Sequence, residues 1–185
     1  MLSLLIMAFA WPSNMCVSMA GLSVESRELT AACWHDPKSG FFAVKTLDCD
    51  GAHRMVMLTK DRRVVNDYGY DTTRFGRAPK DDWTGNKVED HPFAAKTKHG
   101  VAIGDTKSRV LAKLGRPTKS VTKKGIYWCA LYKKVVMDDK ENGSVLRNTY
   151  IFKNGKLIEI MINLDSIPGC GENSLSDDGW PWTKF

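Results

Sequence analysis

At 185 residues, with 43% apolar and 26% charged side chains, the chain can build one domain with a sizeable core or two small lobes sharing one, and wholesale disorder is excluded. Its net charge of +6 comes from 27 Lys and Arg spread among 21 Asp and Glu, which describes a solvated basic surface and not the clustered patch that nucleic-acid binding requires.

Met1 to Trp11 is almost wholly apolar, Pro12-Ser13-Asn14 breaks the run, and Ser18-Met19-Ala20 places small residues at the two positions a signal peptidase reads before Gly21. Residues 1–20 are therefore expected to be a signal peptide cut after Ala20. The apolar run is too short to span a bilayer, so no transmembrane segment is expected. Cys16 follows Ser13-Asn14-Met15, which lacks the apolar-then-small pattern of lipoprotein processing. Removal of residues 1–20 leaves Cys33, Cys49, Cys129 and Cys170, an even count for an oxidising compartment, and two disulfides are expected. Of the three possible pairings, Cys33 with Cys49 and Cys129 with Cys170 is preferred, because each then closes a loop within one half of the chain. Metal ligation is disfavoured by the absence of any Cys-x-x-Cys pair.

Residues 21–65 are expected to form an N-terminal β-rich lobe. Ser23 to Ala32 suits a short helix capped by Ser23, and Gly40 to Leu47 and His53 to Thr59 suit strands flanking the Asp50-Gly51 turn. Cys33-Trp34-His35-Asp36 holds a nucleophile, a base and an acid, but an extended segment aims Asp36 away from Cys33 and His35, and no catalytic role is expected of it. Residues 66–100 form a polar, irregular connection whose Tyr68, Tyr70, Phe75, Trp83 and Phe93 give it something to pack with. Asp81, Asp82, Glu89, Asp90 and His91 lie there, and a solvated acidic loop accounts for them better than a cation site.

Val101-Ala102-Ile103 alternates as a short strand, and Asp105 or Thr106 can accept from the free amides of a helix over Lys107–Leu114. That helix keeps Val110, Leu111 and Leu114 on one face and is closed by Gly115 and Pro117. Eight residues are marginal as an isolated helix, so its apolar stripe must be packed. Strands follow over Gly125–Met137 and Val145–Lys153. Asn154-Gly155 then predicts a type I′ hairpin with Lys153 opposite Lys156, Phe152 opposite Leu157 and Ile151 opposite Ile158. That register puts Ile151, Ile158, Ile160 and Ile162 on one face and Tyr150, Phe152, Leu157 and Met161 on the other, so neither face is a plain solvent face.

The run Ile103-Gly104-Asp105-Thr106-Lys107, Val110, Leu114-Gly115-Arg116-Pro117, Tyr127-Trp128 and Tyr150 to Leu157 resembles the SmpA/OmlA (BamE-like) domain, itself similar to the single repeat of beta-lactamase inhibitory protein. The resemblance covers residues 101–164 and implies a noncatalytic, helix-on-sheet module of the bacterial envelope or secretome that binds another protein. The chain departs from it at Asp105, where an apolar residue is usual, and in lacking a lipid-attachment cysteine.

The expectation is then an α+β protein: a short helix packed on an antiparallel sheet with a C-terminal β-hairpin meander (101–170), preceded by the β-rich lobe and followed by a tail over 171–185. It is expected to be a periplasmic or secreted, noncatalytic protein-binding module of scaffold or assembly-factor type, with peripheral envelope association open to it. It needs no cofactor and no metal, and its partner is another protein and not a nucleic acid. Inhibition of a hydrolase is one alternative, and a small envelope hydrolase using the acidic loop is another. The residues expected to contact the partner are Tyr127, Tyr132, Tyr150, Phe152, Trp180 and Trp182, since aromatic anchors carry most interface energy.

Overall fold

A computed structural model describes residues 13–25, 31–48, 53–67, 88–123, 125–136 and 143–166. In chain order these form β1 (Ser18–Met19), β2 (Leu22–Ser23), β3 (Ala32–Asp36), β4 (Phe41–Asp48), β5 (His53–Thr59), α1 (Arg62–Asp67), β6 (Val88–Asp90), α2 (Lys107–Leu114), β7 (Lys119–Lys123), β8 (Ile126–Val136), β9 (Gly143–Lys153) and β10 (Lys156–Ser166). β1 and β2 make a small hairpin. The other eight strands form one sheet in the order β6-β3-β4-β5-β10-β9-β8-β7, antiparallel except where β6 lies parallel to β3.

This corrects the expected α+β class. Among the described residues the protein is mostly β, dominated by one large sheet with two short helices. The N-terminal strands join the same sheet as the C-terminal ones: two meanders, β3-β4-β5 and β7-β8-β9-β10, run inward from opposite sides and meet where β5 pairs with β10 over seven residue pairs, Glu159 with Thr59 through Asp165 with His53. The reason is visible in β10, which is apolar on both faces and so suits the centre of a sheet. Leu157, Ile160, Ile162 and Leu164 are buried in one cluster with Val56, Leu58, Tyr150 and Phe152, and Met161 is buried in the other with Val44, Met55, Met57 and Ile151. The second face of the hairpin is thus filled from within the chain.

α2 forms as expected. Thr106 is its N-cap, accepting from the Arg109 amide at 3.3 Å, and Val110 and Leu114 are buried against the sheet. Asp105, just before the cap, accepts from the Ala102 amide and lies 3.4 Å from Arg109 Nε and 3.7 Å from Lys113 Nζ. The cap loop is docked on the β9-β10 turn: Gly104 N donates to Leu157 O, Leu157 N to Asp105 O and Lys107 N to Gly155 O. Thr106→Ala is expected to cost about 1 kcal/mol in urea-induced unfolding, because one helix amide then loses its acceptor.

Other expectations need correction. Ser23 lies in β2, where its hydroxyl donates to Val17 O and accepts from the Glu25 amide, and Ala32 opens β3; residues 26–30, most of the expected helix, lie outside the described residues. Val101–Ile103 is no strand; Ala102 only bridges Lys96. α1, β6 and β7 were not expected. The hairpin turn is as predicted, with Asn154 and Gly155 at φ 53° and 72°, and the first two pairs hold, but a bulge at Ile158 puts Ile151 opposite Glu159. Leu157 therefore shares a face with Ile160 and Ile162, while Ile158 is exposed. The bulge lies where the outer neighbour of β10 changes from the Gly104–Thr106 loop to β5, which requires the strand to turn.

Candidate functional site

The residues expected to contact a partner fall in several places. Tyr150 and Phe152 are fully buried, at 0% and 1% exposure, and serve as core. Tyr127 is half-buried, with its ring 5.8 Å from that of Phe152 and the Lys107 ammonium 3.3 Å from its centre, a cation–π contact that holds the foot of α2 to β8. Tyr132 lies in β8 opposite Arg147, with its side chain outside the described residues. Trp180 and Trp182 also lie outside them.

The Cys33-Trp34-His35-Asp36 residues go separate ways. Cys33 is buried, and burial pushes its thiol up to about 12, against the small opposing pull of Arg62, so it is held as a poor nucleophile. His35 stacks on Phe42 at 4.8 Å and meets Asp90 at 2.9 Å. Asp36 closes the turn to β4: it accepts from the Ser39 hydroxyl and from the Lys38 and Ser39 amides, which hold its carboxyl below its usual range. Of the acidic-loop residues, Glu89 and Asp90 lie exposed on β6, while Asp81 and Asp82 are outside the described residues. Among the described residues no group of three or more His, Cys, Asp or Glu side chains is placed to hold a metal ion.

Cys33 and Cys129 are free thiols buried on opposite faces of the sheet, so the two expected disulfides, Cys33 with Cys49 and Cys129 with Cys170, are not formed; Cys49 and Cys170 themselves lie outside the described residues. Burial also pushes the Cys129 thiol up to about 12. Cys16 shares its face and is fully buried, with its thiol raised by burial and opposed by Thr97 and Lys98. The Tyr150 hydroxyl sits beside that thiol without reaching hydrogen-bond geometry, and burial holds the phenol well above its usual range.

Residues 13–25 reach into this core. Met15, Cys16, Met19, Ala20, Leu22 and Val24 are all buried. The anchor is Asn148, fully buried on β9: its Oδ1 accepts from the Cys16 amide at 2.6 Å and its Nδ2 donates to the Cys16 carbonyl at 2.8 Å. Asn14 Nδ2 donates to Leu114 O at the end of α2, Met19 bridges Thr97, and Arg54 donates to Val24 O.

The β1-β2 hairpin turns through Ala20 and Gly21 at φ 54° and 85°, and the Trp34 ring lies where a Cβ on Gly21 would be 3.2 Å away. Between this hairpin and residues 91–98 runs an open groove of about 480 Å³. Trp34 lies 4.5 Å from the His91 ring, Phe93 is half-buried beside them, and Lys96 and Lys98 are exposed on either side of buried Thr97. A tight loop fixes that pattern: Thr97 N donates to Val101 O, and Gly100, at φ 68°, donates to Thr97 O. The groove thus presents aromatic surface with ammonium groups at its rim and no carboxylate among its lining residues. Such a lining can hold an extended segment carrying apolar and acidic side chains.

From the sequence, His91 belonged to the acidic loop and Phe93 to the packing aromatics, Trp34 had no role of its own, and Lys96 and Lys98 were missed as neighbours of all three. The available signal was Lys96-Thr97-Lys98, an alternation that puts two cations outside when the middle residue is buried. No helix among the described residues is long and apolar enough to cross a membrane. Compared with family models, curated proteins and solved structures, the chain matches none.

Proposed function

We propose that the chain is an exported, noncatalytic protein-binding module of the bacterial envelope, of scaffold or assembly-factor type, that takes an acidic, partly apolar segment of another protein into the groove beside Trp34. The observation that carries this reading is the convergence of Trp34, His91 and Phe93 with the exposed Lys96 and Lys98 on one open groove. Aromatic groups exclude water and supply contact area, while rim cations select for acidic partners and speed encounter. The residues that carry the SmpA/OmlA resemblance support it from another direction, since Gly104 bonds Leu157 and Lys107 bonds Gly155, tying helix to hairpin.

The test places a photo-crosslinking residue at exposed, groove-lining Ala94 in the native envelope fraction. A discrete adduct with another protein is expected, reduced about tenfold by Lys96→Glu with Lys98→Glu, the size of effect typical of reversing rim charges. An unchanged yield in that double variant, or the same adduct from a probe at Ser120 on the far edge strand, would remove the reading.

A further inference from the structure

The face of the sheet that carries Met55, Met57 and Met161 turns polar at the end where β4 and β10 finish and β5 begins. There Asp48 is opposite His53 and His53 is opposite Asp165, so one row across three neighbouring strands reads Asp, His, Asp. The next row inward sets Met55 opposite Asn163, and Asn163 opposite Arg147. Residues two apart on a strand share a face, so buried Met55 places His53, and with it Asp48, Asp165 and Asn163, on one side of the sheet. The side chains of Asp48, His53 and Asp165 lie outside the described residues; their positions in the ladder follow from the backbone pairing.

Asn163 supplies an independent sign. It is buried, at 6% exposure, and among the described residues its Oδ1 has no hydrogen-bond donor; on the same face the Thr149 hydroxyl, at 0%, also goes without a partner. A sealed amide oxygen without a donor is uncommon in folded proteins, and an ion is one of the ways such an atom is satisfied. Asn163 and Asp165 stand about 7 Å apart along β10, and His53 is about 5 Å from Asp165 across the ladder. Such a triangle lets an amide oxygen, a carboxylate and an imidazole share one ion. Asp48 and Asp165, two strands apart at about 10 Å, are too distant to do so around His53, which leaves Asp48 the place of a carboxylate behind a metal-bound histidine. Across β4, β5, β10 and β9 these two rows set two carboxylates against one guanidinium, that of Arg147, so the charge balance favours a cation.

We infer that this corner of the sheet binds a divalent metal ion of the zinc or manganese type, held by His53, Asp165 and Asn163 and with Asp48 fixing the imidazole. Imidazole and oxygen donors in one set suit those ions, while calcium and magnesium ask for oxygen alone. The ion ties β5 to β10, at the seam where the two meanders meet. Nothing in this placement depends on the groove beside Trp34.

The test titrates the full chain, freed of metal by chelation, with zinc and separately with manganese(II), read by isothermal calorimetry and thermal unfolding. One ion per chain is expected, with the Tm raised by about 5 to 10 °C at a hundredfold excess over the Kd. His53→Gln or Asp165→Asn should abolish binding, and Asp48→Asn should weaken it about tenfold to a hundredfold. His35→Gln, which breaks the separate pair with Asp90, should leave it unchanged. No one-to-one binding of either ion, or binding that survives His53→Gln, overturns the inference. The parent titration gives that answer even where a variant does not fold.

Discussion

Asn148→Leu is expected to lower the unfolding free energy by about 3 to 5 kcal/mol and the Tm by about 10 °C. The leucine fills a similar volume on the buried face of β9, so the loss is not one of packing. It comes from the Cys16 amide and carbonyl, which lose the side chain that satisfies both and stay out of reach of water. Leaving a buried donor or acceptor unmatched costs about 1 to 3 kcal/mol for each group.

A double-mutant cycle isolates the cause. In a chain that begins at Gly21, Asn148 has no Cys16 to bind and is itself an unmatched buried amide, so leucine there should be neutral or stabilising. In a Cys16→Ala background the backbone bonds remain, and the full cost of Asn148→Leu should return. Equal losses in all three backgrounds, by thermal or urea unfolding, would show that Asn148 acts through the sheet and not through the N-terminal segment.

Which parts of this architecture were legible follows from the range of the interactions that set them. α2 was readable because its cap, its stripe and its stop lie within twelve residues of one another, and the Asn154-Gly155 turn because two positive-φ residues in a row admit few other sequences. The joining of β5 to β10 was not readable, since it pairs residues about a hundred positions apart, and only the two-sided apolar character of β10 hinted that something must cover both its edges and faces. The bulge at Ile158 was invisible for a similar reason. It depends on the Gly104–Thr106 loop bonding Leu157, and missing it assigned Leu157 and Ile158 to the wrong faces. The candidate groove is the least legible feature: Trp34, Phe93 and the two lysines meet only because β6 lies parallel to β3 and Thr97 bridges Met19. Aromatic residues close to the resemblance were the natural choice for contacts, yet a tyrosine or phenylalanine on a central strand is more often core, and Tyr150 and Phe152 are core here.

The same bulge that exposes Ile158 carries Glu159 onto the second face of the sheet, opposite Thr59. Burial there pushes its carboxyl up to about 7 from an ordinary value of 4.5; Asp61 nearby adds to the rise, and a hydrogen bond from Thr59 opposes it. Between pH 4.5 and 7 the folded chain holds a proton on Glu159 that the unfolded chain has released. The contribution of this group to stability is therefore full below about pH 4.5, falls as pH rises towards 7, and is gone above it. Because Glu159 is half-buried and not sealed, the span of that fall is set at about 1 to 3 kcal/mol. Glu159→Gln, which cannot ionise, should match the parent at pH 4 and exceed it by that amount at pH 8, so the two stability curves diverge as pH rises. Urea midpoints of parent and variant measured from pH 4 to 8 decide the matter: curves that stay parallel, or a variant weaker at pH 8, would mean that Glu159 is ionised and well solvated in the folded protein.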